Sequence, residues 1–441
     1  MLKIFIGPHE IAGYYANLAK GFKQIGIDCD YLTYTQNPLG YGGETKIPLL
    51  LRIARFFNQF YRKPNRSFIL KVLISLPGGV LTIIWVFFAL FKYDVFIFGF
   101  GHSLIPKYNW DIPLLKKMGK IVIMNIAHGS DARPSYIDGA YQSTNESNQP
   151  TPSLLRKIAC DTKKHIQFIE KKSNFIIGAP FSTSQFTDKK IINWFALGVP
   201  FVKNNSTISS SPINFETEDM PKQSLRILHS PSHPVAKGTP QILKAIQNLK
   251  EKGHSIEFVM LHGKPHSEVI REIQQCDFVI DQIYSDTPLA GFATEAAWFG
   301  KPAVVGGYGF DYLKNFVSED MWPPSKICHP DDIEQAIESL IVNREERLRL
   351  GTEVLEFVHE KWNAAEVARR YLKIIEGDIP DEWWLDPRSV TYLEGGGQPL
   401  EYSKQNIRQM VEQFGVESLQ LSHRPDLEHA FLEFAGVDKR N

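Results

Sequence analysis

Short apolar runs alternate with stretches of helical period along the first 376 residues. Residues 2–6 form the first run. A Gly-Pro-His turn, a helical pattern over 12–24, Gly26 and a second run over 27–33 follow. Strand, glycine-containing loop, helix, strand is the opening of a Rossmann-like unit. Runs at 94–98, 121–126 and 175–178 continue the alternation, with helical stretches between them that include 154–172. The pattern predicts a first domain over 1–203. Residues 204–223 are rich in Ser, Asn, Pro and Thr and read as a linker. A second series occupies 224–376, with strands expected at 226–229, 255–261, 278–281 and 302–305. Its helices are expected at 239–252, 268–276, 294–299, 331–342 and over 345–376. Residues 377–441, with Trp383, Trp384, an Asp386-Pro387 step and a Gly395-Gly396-Gly397 turn, read as an extension packed on the body, with a helix at 403–414.

Between the second and third runs the pattern changes. Over 47–66, Leu49, Ile53, Phe56, Phe57 and Phe60 share one helical stripe, and Arg52, Arg55, Gln59 and Arg62 another. Such a helix suits an anionic bilayer surface, and equally a domain face with snorkelling arginines. Residues 72–91 carry no charge, which reaches the length of a membrane span, yet Pro77-Gly78-Gly79 interrupts them. A buried or interface-inserted helix is expected here, so that 47–91 is a candidate membrane-surface region.

A chain of 441 residues is too long for one core and fits two domains and an appendage. With 49 Lys plus Arg against 49 Asp plus Glu, no net charge draws the molecule to nucleic acid, and no nucleic-acid partner is expected. The four scattered cysteines make neither a zinc spacing nor a disulfide framework, which fits a reducing cytoplasm. The first residues are too short an apolar run for a signal peptide.

Candidate chemistry sits at loops that follow strands, where open α/β sheets bind ligands. In 289–305, Leu289, Ala290, Gly291 and Phe292 lead into a short helix bearing Glu295, then Gly300-Lys301-Pro302 and an apolar strand. The loop offers backbone N–H groups to an anion, and Glu295 can accept hydrogen bonds from ribose hydroxyls. In 227–239, Lys237-Gly238 follows Ser232 and His233, and the lysine can neutralise a diphosphate leaving group. In 128–133, His128-Gly129-Ser130-Asp131-Ala132-Arg133 follows a strand directly. In the first loop, His9, Glu10 and Gly13 stand where backbone can approach a substrate.

These segments resemble the large retaining GT-B glycosyltransferase family (family 4-like, group 1) that includes sucrose synthases and bacterial lipid mannosyltransferases. Its pattern of two glutamates eight residues apart is matched at Glu295, while Thr287, beside Asp286, stands at the first position. Gly300, Pro302 and Val304 fall into place, as does Lys237-Gly238. The arginine usual before that lysine is replaced by Ser232 and His233. The loop at His128 resembles the family's H-G-x-D segment. The resemblance covers most of 1–376 and implies an α/β, GT-B architecture of two Rossmann-like domains facing a cleft. It further implies transfer of a sugar from a nucleotide-diphosphate sugar to a glycan or lipid-linked acceptor, with retention, in polysaccharide or glycolipid biosynthesis. In that picture His128, Lys237 and Glu295 are catalytic. Gly13, His233, Lys237, Gly238, Thr287, Leu289, Ala290, Gly291, Phe292 and Glu295 bind donor, and His9, Asp131 and Arg133 bind acceptor. No cofactor and no metal is expected. The expected location is cytoplasmic, peripheral on the inner face of the membrane. A nucleotide-sugar epimerase or hydrolase, and a non-catalytic GT-B-like binding protein, stay open as alternatives.

Overall fold

A computed structural model describes residues 2–34, 40–42, 47–61, 68–105, 109–143, 149–202 and 224–437. The expected linker at 204–223 lies outside these residues.

The apolar runs form two parallel sheets. The first contains β1 (Lys3–Ile6), β2 (Asp28–Tyr31), β3 (Val95–Gly99), β4 (Ile121–Asn125), β5 (Phe175–Gly178) and β6 (Ile191–Asn193). The second contains β7 (Leu225–His229), β8 (Ile256–Met260), β9 (Phe278–Ile280), β10 (Ala303–Gly306) and β11 (Lys326–Cys328). A last strand, β12 (Trp384–Leu385), returns to the first sheet and pairs antiparallel with β6. The orders are β12-β6-β5-β4-β3-β1-β2 and β11-β10-β9-β7-β8. Ile4, Phe5 and Ile6, and Val95 to Phe98, are fully buried, as strands covered by helices on both faces must be.

Both sheets share one plan. The first strand of each lies inside, with the second strand on one side and the third on the other. The strand order therefore reverses beside β1 and again beside β7, and each reversal opens a crevice at the strands' carboxyl ends. In the second sheet His229, at the end of β7, ties the crevice together. Its Nδ1 bonds the Ile280 carbonyl of β9 at 2.8 Å and its Nε2 meets Thr239 Oγ1 at 2.9 Å. Burial keeps this imidazole neutral, with its pKa lowered to about 4.

The stretch 345–376 forms two helices, Arg344–Glu360 and Ala364–Glu376, broken at the buried Trp362. The second does not cover the second sheet. It packs on helix Tyr14–Gln24 of the first, where Tyr371 Oη meets Tyr14 Oη at 3.1 Å and receives a hydrogen bond from Asn125 at 3.3 Å. Beyond it the chain stays on the first sheet. β12 extends that sheet, Tyr392 stacks on Phe181 at 3.7 Å, and helix Leu400–Phe414 packs on helix Pro152–Lys172. A further helix, Pro425–Ala435, lies against Leu400–Phe414.

Between these points Gly395-Gly396-Gly397 forms a strap. Gly396 N–H donates to the Ile137 carbonyl at 3.1 Å, Gly139 N–H donates to the Gly396 carbonyl at 2.9 Å, and Gly397 N–H donates to the Tyr284 carbonyl at 2.8 Å. The strap thus joins a loop that follows β4 to a loop that follows β9. The seat is tight: a Cβ on Gly139 would stand 1.7 Å from the Gly397 carbonyl oxygen.

Candidate active site

The loops at the carboxyl ends of both sheets line one cleft of about 390 Å³. From the first sheet come the loops after β1, β4, β5 and β6; from the second come those after β7 and β9.

The loop after β4 carries His128. Its Nε2 is 2.7 Å from Tyr15 Oη, and burial alone lowers its pKa to about 4. At neutral pH it is an uncharged hydrogen-bonding group. Asp131 holds the loop in shape, its carboxylate accepting the His128 N–H at 3.1 Å. Burial lifts the Asp131 pKa to about 7, against the opposing pull of those N–H bonds and of Arg133. The Asp131 side chain is spent on the loop and lies off the cleft lining. Arg133 does line it. The guanidinium pairs with Asp138 at 3.1 Å and with Asp286 from the loop after β9. Burial works to lower its pKa, and the two carboxylates outweigh burial and raise it further. Arg133 is therefore a permanent cation, clamped between the two halves of the molecule.

The loop after β7 turns at Gly238, where a Cβ would come 2.2 Å from Ile283, so only glycine lets the loop seat against the strand end. That seat presents Lys237 to the cleft. Its Nζ bonds the Gln282 amide oxygen and stands 3.7 Å from the buried Asp281 carboxylate. His233 lines the cleft beside it, its Nδ1 accepting the Ala236 N–H at 3.2 Å.

The loop after β9 brings Asp286, Thr287, Leu289, Ala290 and Gly291 to the lining and leads into helix Gly291–Ala297. Glu295, on this helix, is 4% exposed. Its Oε1 meets His266 Nε2 at 2.8 Å, and its Oε2 accepts from Tyr41 Oη at 3.5 Å. The Tyr41 and His266 rings lie 4.3 Å apart. Glu295 is thus held from both halves of the molecule.

The cleft gathers His128, Arg133, His233, Lys237, Thr287 and Glu295, with the backbone of Leu289 to Gly291. Other expected site residues lie off its lining. The His9 ring lies tilted against that of His102, 4.8 Å between centroids, and burial lowers its pKa to about 4, with His102 adding to the effect. Gly13 precedes helix Tyr14–Gln24 in a left-handed conformation, Phe292 packs on the core, and Gly238 acts through its fit against Ile283. The sequence reading missed Tyr41, His266, Gln282 and the glycine strap. His266 had a visible signal, since it opens the helix that follows β8.

Five buried polar atoms on this lining have no partner among the described residues: Arg133 Nε, Asp138 Oδ2, Ser182 Oγ, Trp194 Nε1 and Thr287 Oγ1. Buried polar groups are almost always satisfied, so such a concentration marks a place built for a polar ligand.

No protein-family model matches the chain. No curated protein matches it either. Solved structures do. A mutant of TarM from S. aureus, in complex with fondaparinux, alpha-GlcNAc-glycerol and UDP, superposes with a TM-score of 0.50 at 11% identity, over 85% of this chain and 99% of that one. Sucrose-phosphate synthase from Thermosynechococcus elongatus gives 0.48 at 14% identity, over 86% and 99%. The HepE protein of Anabaena, with UDP and glucose, gives 0.45 at 11% identity, over 86% and 100%. At 11% identity the TarM match speaks for the fold alone, and the fold is GT-B: two Rossmann-like sheets facing a cleft.

Proposed function

We propose that the protein transfers a glycosyl group from a nucleotide-diphosphate sugar to a glycan or lipid-linked acceptor, with retention of configuration. One observation carries the reading: a cleft between two strand-end crevices presents Lys237 and Arg133 together, on a lining with unpartnered buried polar atoms. Two fixed cations suit a diphosphate, whose negative charge grows as the glycosidic bond to it breaks. The donor's diphosphate lies against Lys237, which Asp281 and Gln282 hold in place. Arg133 supplies the second positive charge, in place of the arginine absent from the loop after β7. To do so it exchanges Asp286 for a phosphate oxygen, because both anions compete for the same edge of the guanidinium.

Glu295, oriented by His266, accepts hydrogen bonds from the ribose hydroxyls. His128, neutral and tied to Tyr15, uses its free nitrogen toward a hydroxyl of the transferred sugar. No protein carboxylate is needed as base, since the departing phosphate oxygen takes the acceptor's proton on the same face of the sugar. The positive charge in this scheme comes from the protein's own side chains.

A thermal-shift series with UDP, GDP, ADP, TDP and CMP tests the donor site. One nucleoside diphosphate is expected to raise the melting temperature, and Glu295→Ala is expected to abolish that shift. The absence of any shift in the unaltered protein would remove the basis of the reading.

A further inference from the structure

The helices Leu49–Tyr61 and Phe68–Lys92 connect β2 to β3 and pack against each other. The second of them has two apolar faces. Trp85, Val86, Ala89 and Leu90 are buried on the sheet, with Trp85 5.8 Å from Phe5. The opposite face carries Leu76, Val80, Ile83, Phe87, Phe88 and Phe91, all exposed, with Phe88 at 64% and Phe91 at 76%. Their spacing of three and four residues places them on one continuous stripe. Leu49, Ile53 and Phe56 repeat the pattern on the neighbouring helix. Of eighteen exposed large apolar side chains among the described residues, ten lie on this helix pair. Contiguous apolar surface of this kind marks an interaction site.

Charge identifies the partner. From Lys46 to Lys92 the sequence has eight Lys or Arg and no Asp or Glu, in a chain whose 49 basic and 49 acidic residues balance only when this segment is included. An isologous dimer through this face would set basic residues against their own copies. A surface that is apolar beneath and negative above satisfies both properties at once.

We propose that this helix pair seats the protein on an anionic lipid bilayer, lying in the plane of the interface with the stripe among the acyl chains and the basic residues at the headgroups. The pair does not span the bilayer, because the inner face of its longer helix belongs to the protein core. Among the described residues no helix is long and apolar enough to cross a membrane. Tyr41, whose hydroxyl reaches Glu295, precedes Leu49 by eight residues. Eight extended residues span at most about 28 Å, so the bilayer lies within reach of the cleft and can deliver an acceptor held by a lipid. The seating itself stands on the surface alone and does not depend on the transferase reading.

The test is flotation of the full chain with vesicles of phosphatidylcholine containing one third phosphatidylglycerol, and with phosphatidylcholine alone. The unaltered protein is expected to float with the anionic vesicles, less in high salt, and weakly with the neutral ones. A triple variant, Phe87→Ser, Phe88→Ser and Phe91→Ser, is expected to lose roughly tenfold or more of the binding. Its melting temperature and its nucleotide shift, read in parallel, should stay unchanged. No flotation of the unaltered protein, or equal flotation of the triple variant, overturns the proposal. So does a dimer by light scattering that the triple variant converts to monomer while neither form floats. Failure of every nucleotide to bind, with flotation intact, would overturn the donor-site reading and leave the seating in place.

Discussion

The same step of the fold is built in two ways. In each sheet the chain must cross from its second strand to its third. In the second sheet one ten-residue helix, His266–Gln275, does this. Val269, Ile270 and Ile273 are buried, while Arg271, Gln274 and Gln275 face solvent. In the first sheet the step takes the paired helices Leu49–Tyr61 and Phe68–Lys92, which expose ten large apolar side chains among the described residues. A crossover needs one apolar face. The second-sheet helix shows the requirement met at its minimum, so the outer stripe on the first sheet answers to something other than folding. The two halves divide the cleft in a similar way. The second half brings Lys237 and Glu295, and the first brings neutral His128 and the buried cation Arg133.

Replacing Lys237 with Ala tests that division most strongly. Transfer is expected to fall by about a hundredfold to a thousandfold, measured as kcat with donor and acceptor, because a fixed charge opposite the leaving group acts mainly in the transition state. Next, Ile273→Ala in the minimal crossover should cost about 3 kcal/mol in urea unfolding, the ordinary result of emptying a fully buried aliphatic site. Asp286→Asn sharpens the comparison between the two halves' cations. It should tighten nucleoside diphosphate binding by about tenfold in calorimetry, since Arg133 no longer has to surrender an ionic partner. In an Arg133→Lys background the same substitution should gain much less; equal gains in both would separate Asp286 from Arg133. Smallest of all, Phe88→Ser should shift unfolding free energy by no more than about 0.5 kcal/mol, as expected for an exposed side chain outside the core. A loss near that of Ile273→Ala would make the outer stripe part of the fold after all.

The alternation of strand and helix was readable because parallel strands bury both faces and leave uninterrupted apolar runs such as 95–98. The strands β6, β11 and β12, of two or three residues each, were not visible, whereas β9, equally short, was expected at 278–281. Periodicity also revealed that 364–376 is helical but not which sheet it covers. Its apolar face, with Tyr371 and Ile374, is complementary to helix Tyr14–Gln24, a match between segments some 350 residues apart that no local window contains. At the site, His128 stood out because it directly follows a strand, and Lys237 and Glu295 because each sits in a strand–loop–helix segment that resembles the glycosyltransferase pattern. Their partners stood out less, although His266 opens the helix after β8 and Gln282 lies just past β9. His266, Tyr41 and Gln282 are recognised by what they touch, and the pairing of Arg133 with Asp286 joins two loops far apart in sequence.

The glycine strap has a consequence for how the molecule is made. Synthesis delivers all five strands of the second sheet before it delivers residues 384–397. The first sheet, begun earliest, must wait for β12 to close its edge, and the wall formed by Gly396 and Gly397 arrives after both sheets have their inner strands. The half that emerges first is therefore the last to be finished, and a chain still held at the ribosome short of Gly395 has two sheets but an incomplete cleft.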